Sequence, residues 1–185
     1  MESKEAYLDY LNGNELSIEV VINEFLTPLL FFVLRYVRNI SDAEDIVENV
    51  FFKLAVRKPK FKNEAKFSTW LYAIARNEAV SFLRKNKRFP SDSLEDYTEL
   101  SDGSSDIEKL FLKEEKNIIV HKALDRLPDA YREVIHLSYF SDMKNDEIAK
   151  ILKKSRKQVE NLLYRAKLSL RKELEKEGFN NENYL

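Results

Sequence analysis

Apolar residues recur at intervals of three and four over long stretches of this chain, the spacing that lines one side of an α-helix. In the N-terminal half the pattern predicts three helices. The first runs from about Ser17 to Arg38, with Pro28 as the place for a kink. The second starts at a cap supplied by Ser41 or Asp42 and carries acids in its first turn, where the helix dipole favours them. It continues through Ile46, Val47, Val50, Phe51 and Leu54 to about Arg57, and Pro59 closes it. The third begins near Phe67 or Ser68 and ends near Asn86, with Leu71, Ile74, Ala75, Ala79, Phe82 and Leu83 as its buried stripe.

In the C-terminal half a helix is expected near residues 107–127, then a turn at Pro128-Asp129 and a helix from about Ala130 to Tyr139. A short amphipathic helix follows over residues 146–152, then a break at Lys153-Lys154-Ser155 with Ser155 as a cap. A longer helix runs on from Arg156, with Val159, Leu162, Leu163, Ala166, Leu170 and Leu174 at helical spacing. Two helices joined by so short a break read as a helix-turn-helix, with the small Ala149 where they would cross. The fold class is all-α.

One stretch breaks the pattern. Residues 91–108 hold seven acids (Asp92, Glu95, Asp96, Glu99, Asp102, Asp106, Glu108), no Lys or Arg, and the turn-forming Ser101-Asp102-Gly103-Ser104-Ser105. With few large apolar side chains to anchor it, this segment is expected to be a flexible acidic linker between two small helical domains. The expected domains are residues 16–90 and 109–178, with a tail at 179–185.

Composition supports this division and removes several functions. A chain of 185 residues, 44% apolar, buries one fair core or two small ones. Three Gly and four Pro suit helix nearly throughout. No cysteine is present, which excludes disulfide scaffolds, zinc ribbons and thiol catalysis. Gly13, Gly103 and Gly178 lie too far apart for a phosphate loop, and no calcium-loop or His/Glu metal spacing occurs. His121 and His136 sit among apolar residues at helical spacing and read as half-buried structural histidines. No catalytic residue, metal, cofactor or small-molecule substrate is therefore expected. The charged N-terminus lacks the apolar core of a signal peptide, and the apolar run at 25–34 is too short to cross a bilayer. The reading is a soluble cytoplasmic protein without membrane insertion.

Charge then points to a partner. The formal net charge is −1, yet residues 150–176 hold ten Lys or Arg against three Glu, a local surplus of seven. A polyanion answers such a surplus. A second basic region is the loop with Lys60, Lys62 and Lys66, followed by Phe67 and Trp70. The next helix carries Arg76, Asn77 and Ser81 on a polar face and ends in Arg84, Lys85, Lys87 and Arg88. Cations beside aromatics suit an unpaired nucleic-acid strand, although a lone Trp is in itself an ordinary core residue.

Four blocks carry a family resemblance. Asp42-Ala43-Glu44-Asp45-Ile46-Val47-Glu48-Asn49-Val50-Phe51, Phe67-Ser68-Thr69-Trp70-Leu71-Tyr72-Ala73-Ile74-Ala75-Arg76-Asn77, Leu127-Pro128-Asp129-Ala130-Tyr131-Arg132-Glu133-Val134 and the helix-turn-helix stand in order over residues 20–178. Together they resemble a bacterial RNA polymerase sigma factor of the extracytoplasmic-function group. The resemblance implies core RNA polymerase and promoter DNA as partners, and admits an anti-sigma factor. It implies that Asp42, Asp45, Glu48, Asn49 and Phe51 grip the polymerase clamp. Lys60, Lys62, Lys66, Phe67 and Trp70 would serve the melted −10 element, with Asn77, Ser81 and Arg84 at the upstream duplex edge. Arg156, Lys157, Gln158, Asn161, Tyr164 and Arg165 would face the −35 element from the recognition helix. The linker would pass near the polymerase RNA path.

Three departures qualify the resemblance. Lys153 stands where the family has a turn glycine. Glu160 and Leu162 occupy recognition-helix positions that are commonly basic or small. Glu160 repels phosphate but has the chemistry to accept a hydrogen bond from cytosine N4. Glu48-Asn49 replaces the usual Gln-Glu of the clamp motif. Two alternatives belong to other classes: a stand-alone helix-turn-helix regulator, and a polymerase-binding interaction protein.

Overall fold

The computed structural model describes residues 2–86, 120 and 122–177. The expected linker, most of the helix expected near 107–127, Lys87, Arg88, His121 and the tail lie outside the described residues. Every regular element among the described residues is helical, and the chain divides into two compact units.

The N-terminal unit contains α1 (Ser3–Leu11), α2 (Ile18–Val37), α3 (Ile40–Arg57) and α4 (Phe67–Lys85). Helix α2 is its axis, packing against the other three. With a preceding 3-10 turn it forms a 23-residue stretch, Glu15–Val37, long and apolar enough by length and composition to cross a membrane. About a third of its apolar window is buried and forms the core. Val21, Leu29, Phe32 and Val33 are fully buried, and they meet the fully buried Ala43, Val50 and Leu54 of α3 and Leu71, Ala75 and Ala79 of α4. The helix continues through Pro28, which is exposed on its outer side.

Two features differ from the sequence expectation. Helix α1 is an additional element: Ala6 and Tyr7 are fully buried and Tyr10 nearly so, which draws it onto α2. Helix α3 starts earlier than expected, because Asn39 is the cap. Its extended backbone (φ −138°) turns Oδ1 to accept the Asp42 amide at 3.0 Å.

Two helix ends in this glycine-poor chain are closed by cations. Arg38 after α2 (φ 54°) and Lys58 after α3 (φ 45°) adopt the left-handed backbone usually left to glycine. A side chain there is strained, and a cation beside the last carbonyls offsets part of the cost through the helix dipole.

In the C-terminal unit, residues 122–125 end a helical segment. Then come α5 (Asp129–Ile135), a wider helical turn over His136–Phe140, α6 (Asn145–Leu152) and α7 (Arg156–Lys176). The wide turn is closed by the Ser141 amide donating to the His136 carbonyl at 3.1 Å, five residues back. Helix α5 packs on α7. Leu124, Leu127, Val134, Leu137, Ile148, Val159 and Ala166 form the core. His136 is buried and stacks on Phe140, ring centroids 5.3 Å apart. Lys153, between α6 and α7, takes φ 54°: the turn keeps the glycine geometry without the glycine.

Candidate nucleic-acid interface

Three surfaces hold the residues singled out from the sequence. The first is the outer side of α3. Asp45, Glu48 and Asn49 are exposed and within one turn of each other, while Asp42 is half-buried at the helix start. Asn49 turns its amide back to donate to the Asp45 carbonyl at 2.8 Å. Phe51 is not on this side. It is 7% exposed, because it extends the buried line of Val47, Val50 and Leu54. The aromatic on the acidic face is its neighbour Phe52, 59% exposed, with Val56 one turn further at 61%. Sequence reading missed both, although 45, 48, 49, 52 and 56 share one helical stripe.

The second surface is the loop between α3 and α4. Lys60, Lys62 and Lys66 are exposed, and Asn63 takes a left-handed backbone (φ 59°) at the loop's tip. Beneath the cations lies a ring cluster. Phe67 contacts Tyr7, Phe61 and Trp70 at centroid separations of 5.5, 5.5 and 5.4 Å, and Phe25 at 5.9 Å. Phe67 is thus a floor, 5% exposed, rather than an exposed edge. The half-buried rings are Phe61 and Trp70, 5.4 Å apart. Phe61 was overlooked, though its place between Lys60 and Lys62 is the interleaving expected of a strand-binding loop. Phe67 and Phe25 also line a groove of about 530 Å³, together with Lys4, Glu24, Asn63 and Lys66.

Helix α4 continues this surface. Asn77, Ser81 and Arg84 lie exposed along one stripe, and the opposite side buries Leu71, Ala75, Ala79 and Leu83. Ile74 and Phe82, expected in the buried stripe, are only half-buried. Thr69 and Tyr72 take core places instead. Lys53 of α3 pairs with Glu78 of α4 at 2.5 Å and braces the two helices.

The tyrosines of α1 hold the loop from behind. Tyr7 donates its hydroxyl to the Pro59 carbonyl at 2.8 Å, and Tyr10 donates to the Ala55 carbonyl at 2.7 Å. Burial, with the neighbouring Tyr10 adding to it, pushes the Tyr7 phenol up to about 12.

The third surface is α7. Ser155 and Gln158 form a reciprocal capping box: Ser155 Oγ accepts the Gln158 amide at 3.2 Å, and Gln158 Oε1 accepts the Ser155 amide at 2.8 Å. Gln158 thus gives its side-chain oxygen to the cap and remains exposed beside Lys157, on the face expected to meet the −35 element. Lys157, Asn161, Tyr164 and Arg165 are exposed, and Leu168 extends the outward line one turn beyond Tyr164. Val159, Leu163 and Ala166 bury the opposite side. Arg156 bridges to Glu160 at 2.8 Å and to Asp146 of α6 at 3.3 Å. The hydrogen bond from Glu160, then the charge of Asp146, raise the Arg156 guanidinium above its ordinary value. Glu160 thus spends its charge locally.

The chain matches the Sigma-70 region 2 family over residues 21–89 and the Sigma-70, region 4 family over residues 118–170. It is similar to RNA polymerase sigma factor SigV of Bacillus subtilis, 35% identical over 142 residues, covering 77% of this chain and 81% of SigV. ECF RNA polymerase sigma factor SigW of the same organism is 30% identical over 171 residues, covering 88% and 91%. Among solved structures, CnrH in complex with the cytosolic domain of CnrY has a similar fold (TM-score 0.64, 21% identity, 94% of each chain covered). The sigma factor RpoE of Bartonella quintana, in complex with the anti-sigma factor NepR, is another (TM-score 0.61, 22% identity, 83% and 95% covered). This chain belongs to the sigma-70 family and, within it, to the extracytoplasmic-function group of RNA polymerase sigma factors.

Proposed function

We propose that the chain directs core RNA polymerase to promoters by dividing the work among the three surfaces just described. The stripe of Asp45, Glu48, Asn49, Phe52 and Val56 holds the polymerase, with acids for orientation and two exposed apolar side chains for burial. Asp42 contributes from the half-buried start of the same helix, and Phe51 supports the stripe from the core side.

Helix α7 docks in the major groove of the −35 element. Arg156, Lys157 and Arg165 supply phosphate attraction, and Asn161 and Tyr164 reach the base edges. Once the duplex opens, Lys60, Lys62 and Lys66 follow the unpaired −10 strand, and Phe61 and Trp70 offer ring faces for stacking. An extruded base fits the groove floored by Phe67, while Asn77, Ser81 and Arg84 meet the duplex upstream. The observation that carries this reading is the pairing of exposed lysines with partly exposed rings in one loop. That arrangement rewards an unpaired strand over a duplex.

The protein has no need of chemistry of its own in this scheme. It lends sequence preference to an enzyme that grips DNA by its backbone. Since RpoE is seen in complex with the anti-sigma factor NepR, an anti-sigma factor belongs among the proposed partners. Run-off transcription with purified core enzyme on a genomic promoter library tests the reading. Discrete transcripts that depend on the protein support it. A gel shift in which the protein alone binds a specific duplex, with no change on adding core, would favour a stand-alone regulator instead.

A further inference from the structure

We propose that Tyr7 and Tyr10 are positioning residues for strand capture: their hydroxyls pin both the end of α3 and the loop that follows, and so fix the cations and rings that receive the unpaired strand. This rests on the loop's proposed role in strand binding and adds two residues that never touch DNA.

The last four carbonyls of an α-helix have no acceptor role inside it, and Ala55 lies in the last turn of α3. Tyr10 satisfies that carbonyl from outside at 2.7 Å. Pro59 has a carbonyl but no amide, so the loop cannot close a turn through it, and Tyr7 takes this second carbonyl at 2.8 Å. The two tyrosines are three residues apart on α1 and therefore on the same side. One helical turn thus grips two successive points of the chain, 45 and 52 residues away in sequence.

The rings add the far end of the loop. Tyr7 contacts Phe67 at 5.5 Å and Trp70 at 5.4 Å, and the Lys58 ammonium lies 4.5 Å over the Tyr10 ring. Residues 58–66 contain no regular structure and include two non-glycine residues with positive φ, Lys58 and Asn63. Left unanchored, such a segment would pay conformational entropy on meeting a strand. Pinned at 59 and 67, it meets the strand already ordered, and affinity rises for that reason alone. Phenylalanine would fill the same space at both positions. The hydroxyls are what the carbonyls require. Tyr7 is fully buried and Tyr10 6% exposed, so neither is available to nucleic acid.

The test uses full-length protein in the reconstituted holoenzyme, with Tyr7→Phe and Tyr10→Phe singly and together. The probe is a labelled single strand from the −10 region of a promoter that the holoenzyme transcribes. The double variant should bind core as tightly as the parent but hold the strand about tenfold more weakly, each lost hydrogen bond being worth a few-fold. Its salt slope should be unchanged, because no cation has been removed. Lys62→Ala is run beside it and should lower both affinity and slope. If Lys62→Ala weakens the strand complex and the tyrosine variants do not, the pinning role is overturned and the loop reading stands. If neither does, the loop reading itself has failed. Should the double variant not assemble with core, the single variants decide by the same measure.

Discussion

Arg132 donates through Nη2 to the main-chain carbonyl of Leu127 at 2.8 Å, from a side chain only 2% exposed. The same guanidinium reaches the Leu124 carbonyl through Nε at 3.1 Å, the Asp125 carbonyl through Nη2 at 3.0 Å and the Asp129 carboxylate through Nη1 at 3.0 Å. One planar group thus caps the end of one helix from the first turn of the next. It also sets the angle at which α5 meets the segment before it.

Replacing Arg132 by Met should keep most of the packing volume but strand three carbonyls. The C-terminal unit should lose about 2–4 kcal/mol. Arg132→Lys should recover little, since an ammonium cannot span the four acceptors. Urea unfolding of the full chain, followed by circular dichroism, measures both.

Reversing charge on the outer side of α3 should separate binding from folding. Asp45→Arg with Glu48→Arg is expected to weaken core polymerase binding at least about a hundredfold, because attraction becomes repulsion. Phe52→Ala should weaken it too, while Phe51→Ala should instead lower the melting temperature. Co-purification and thermal melting, run on the same three variants, give the comparison. Unchanged co-purification of the double reversal would remove the polymerase from this face.

Lys62→Ala with Trp70→Ala should spare holoenzyme assembly and duplex docking yet impair opening. Strand charge and stacking favour only the melted state, so their loss raises that state alone. Permanganate reactivity of unpaired thymines should fall on a paired promoter. Much of the transcription should return on a template with a pre-opened mismatch bubble.

Glu160→Gln should weaken the local hold on Arg156, leaving Asp146 as its charged partner, and remove a negative charge from the recognition side of α7. Binding of the holoenzyme to duplex should tighten for matched and unmatched sequences alike. The slope of log affinity against log salt should steepen by about one. A change confined to a single base position would show instead that Glu160 reads a base directly.

At the turn, Lys153→Gly should stabilise the C-terminal unit by about 1 kcal/mol, because it removes the side-chain penalty of a left-handed backbone. Thermal unfolding provides the readout. A destabilisation would mean that the lysine's attraction to the end of α6 outweighs its strain.

How far these surfaces were legible beforehand depended on the range of the forces that make them. Helices α2, α3, α4 and α7 announce themselves by period, and the Ser155 cap by its neighbours, because those are local effects. The nine residues of α1 carry too little periodicity to stand out, and what holds them lies on α2 and the loop. Phe51 and Phe52 are adjacent aromatics. Which of them faces inward is decided by the line of Val47, Val50 and Leu54, and choosing Phe51 for the surface ignored that line. Phe67 looked exposed beside three lysines because the ring that covers it, Tyr7, is 60 residues earlier in the chain. Gln158 was legible at this local level, because its capping-box spacing from Ser155 stands in the sequence.

The hydrogen bond from Tyr7 to Pro59 also sets an order of events during synthesis. Helix α1 is made before anything it packs on, and 52 residues separate donor from acceptor. At ribosomal speeds that interval is about 3–10 s, far longer than a nine-residue helix keeps its shape unaided. Helix α1 is thus fixed only after the segment it grips has been made. A nascent chain halted before Pro59 would expose the apolar side of α1 to chaperones and proteases. The chain would then be most vulnerable while it is still incomplete.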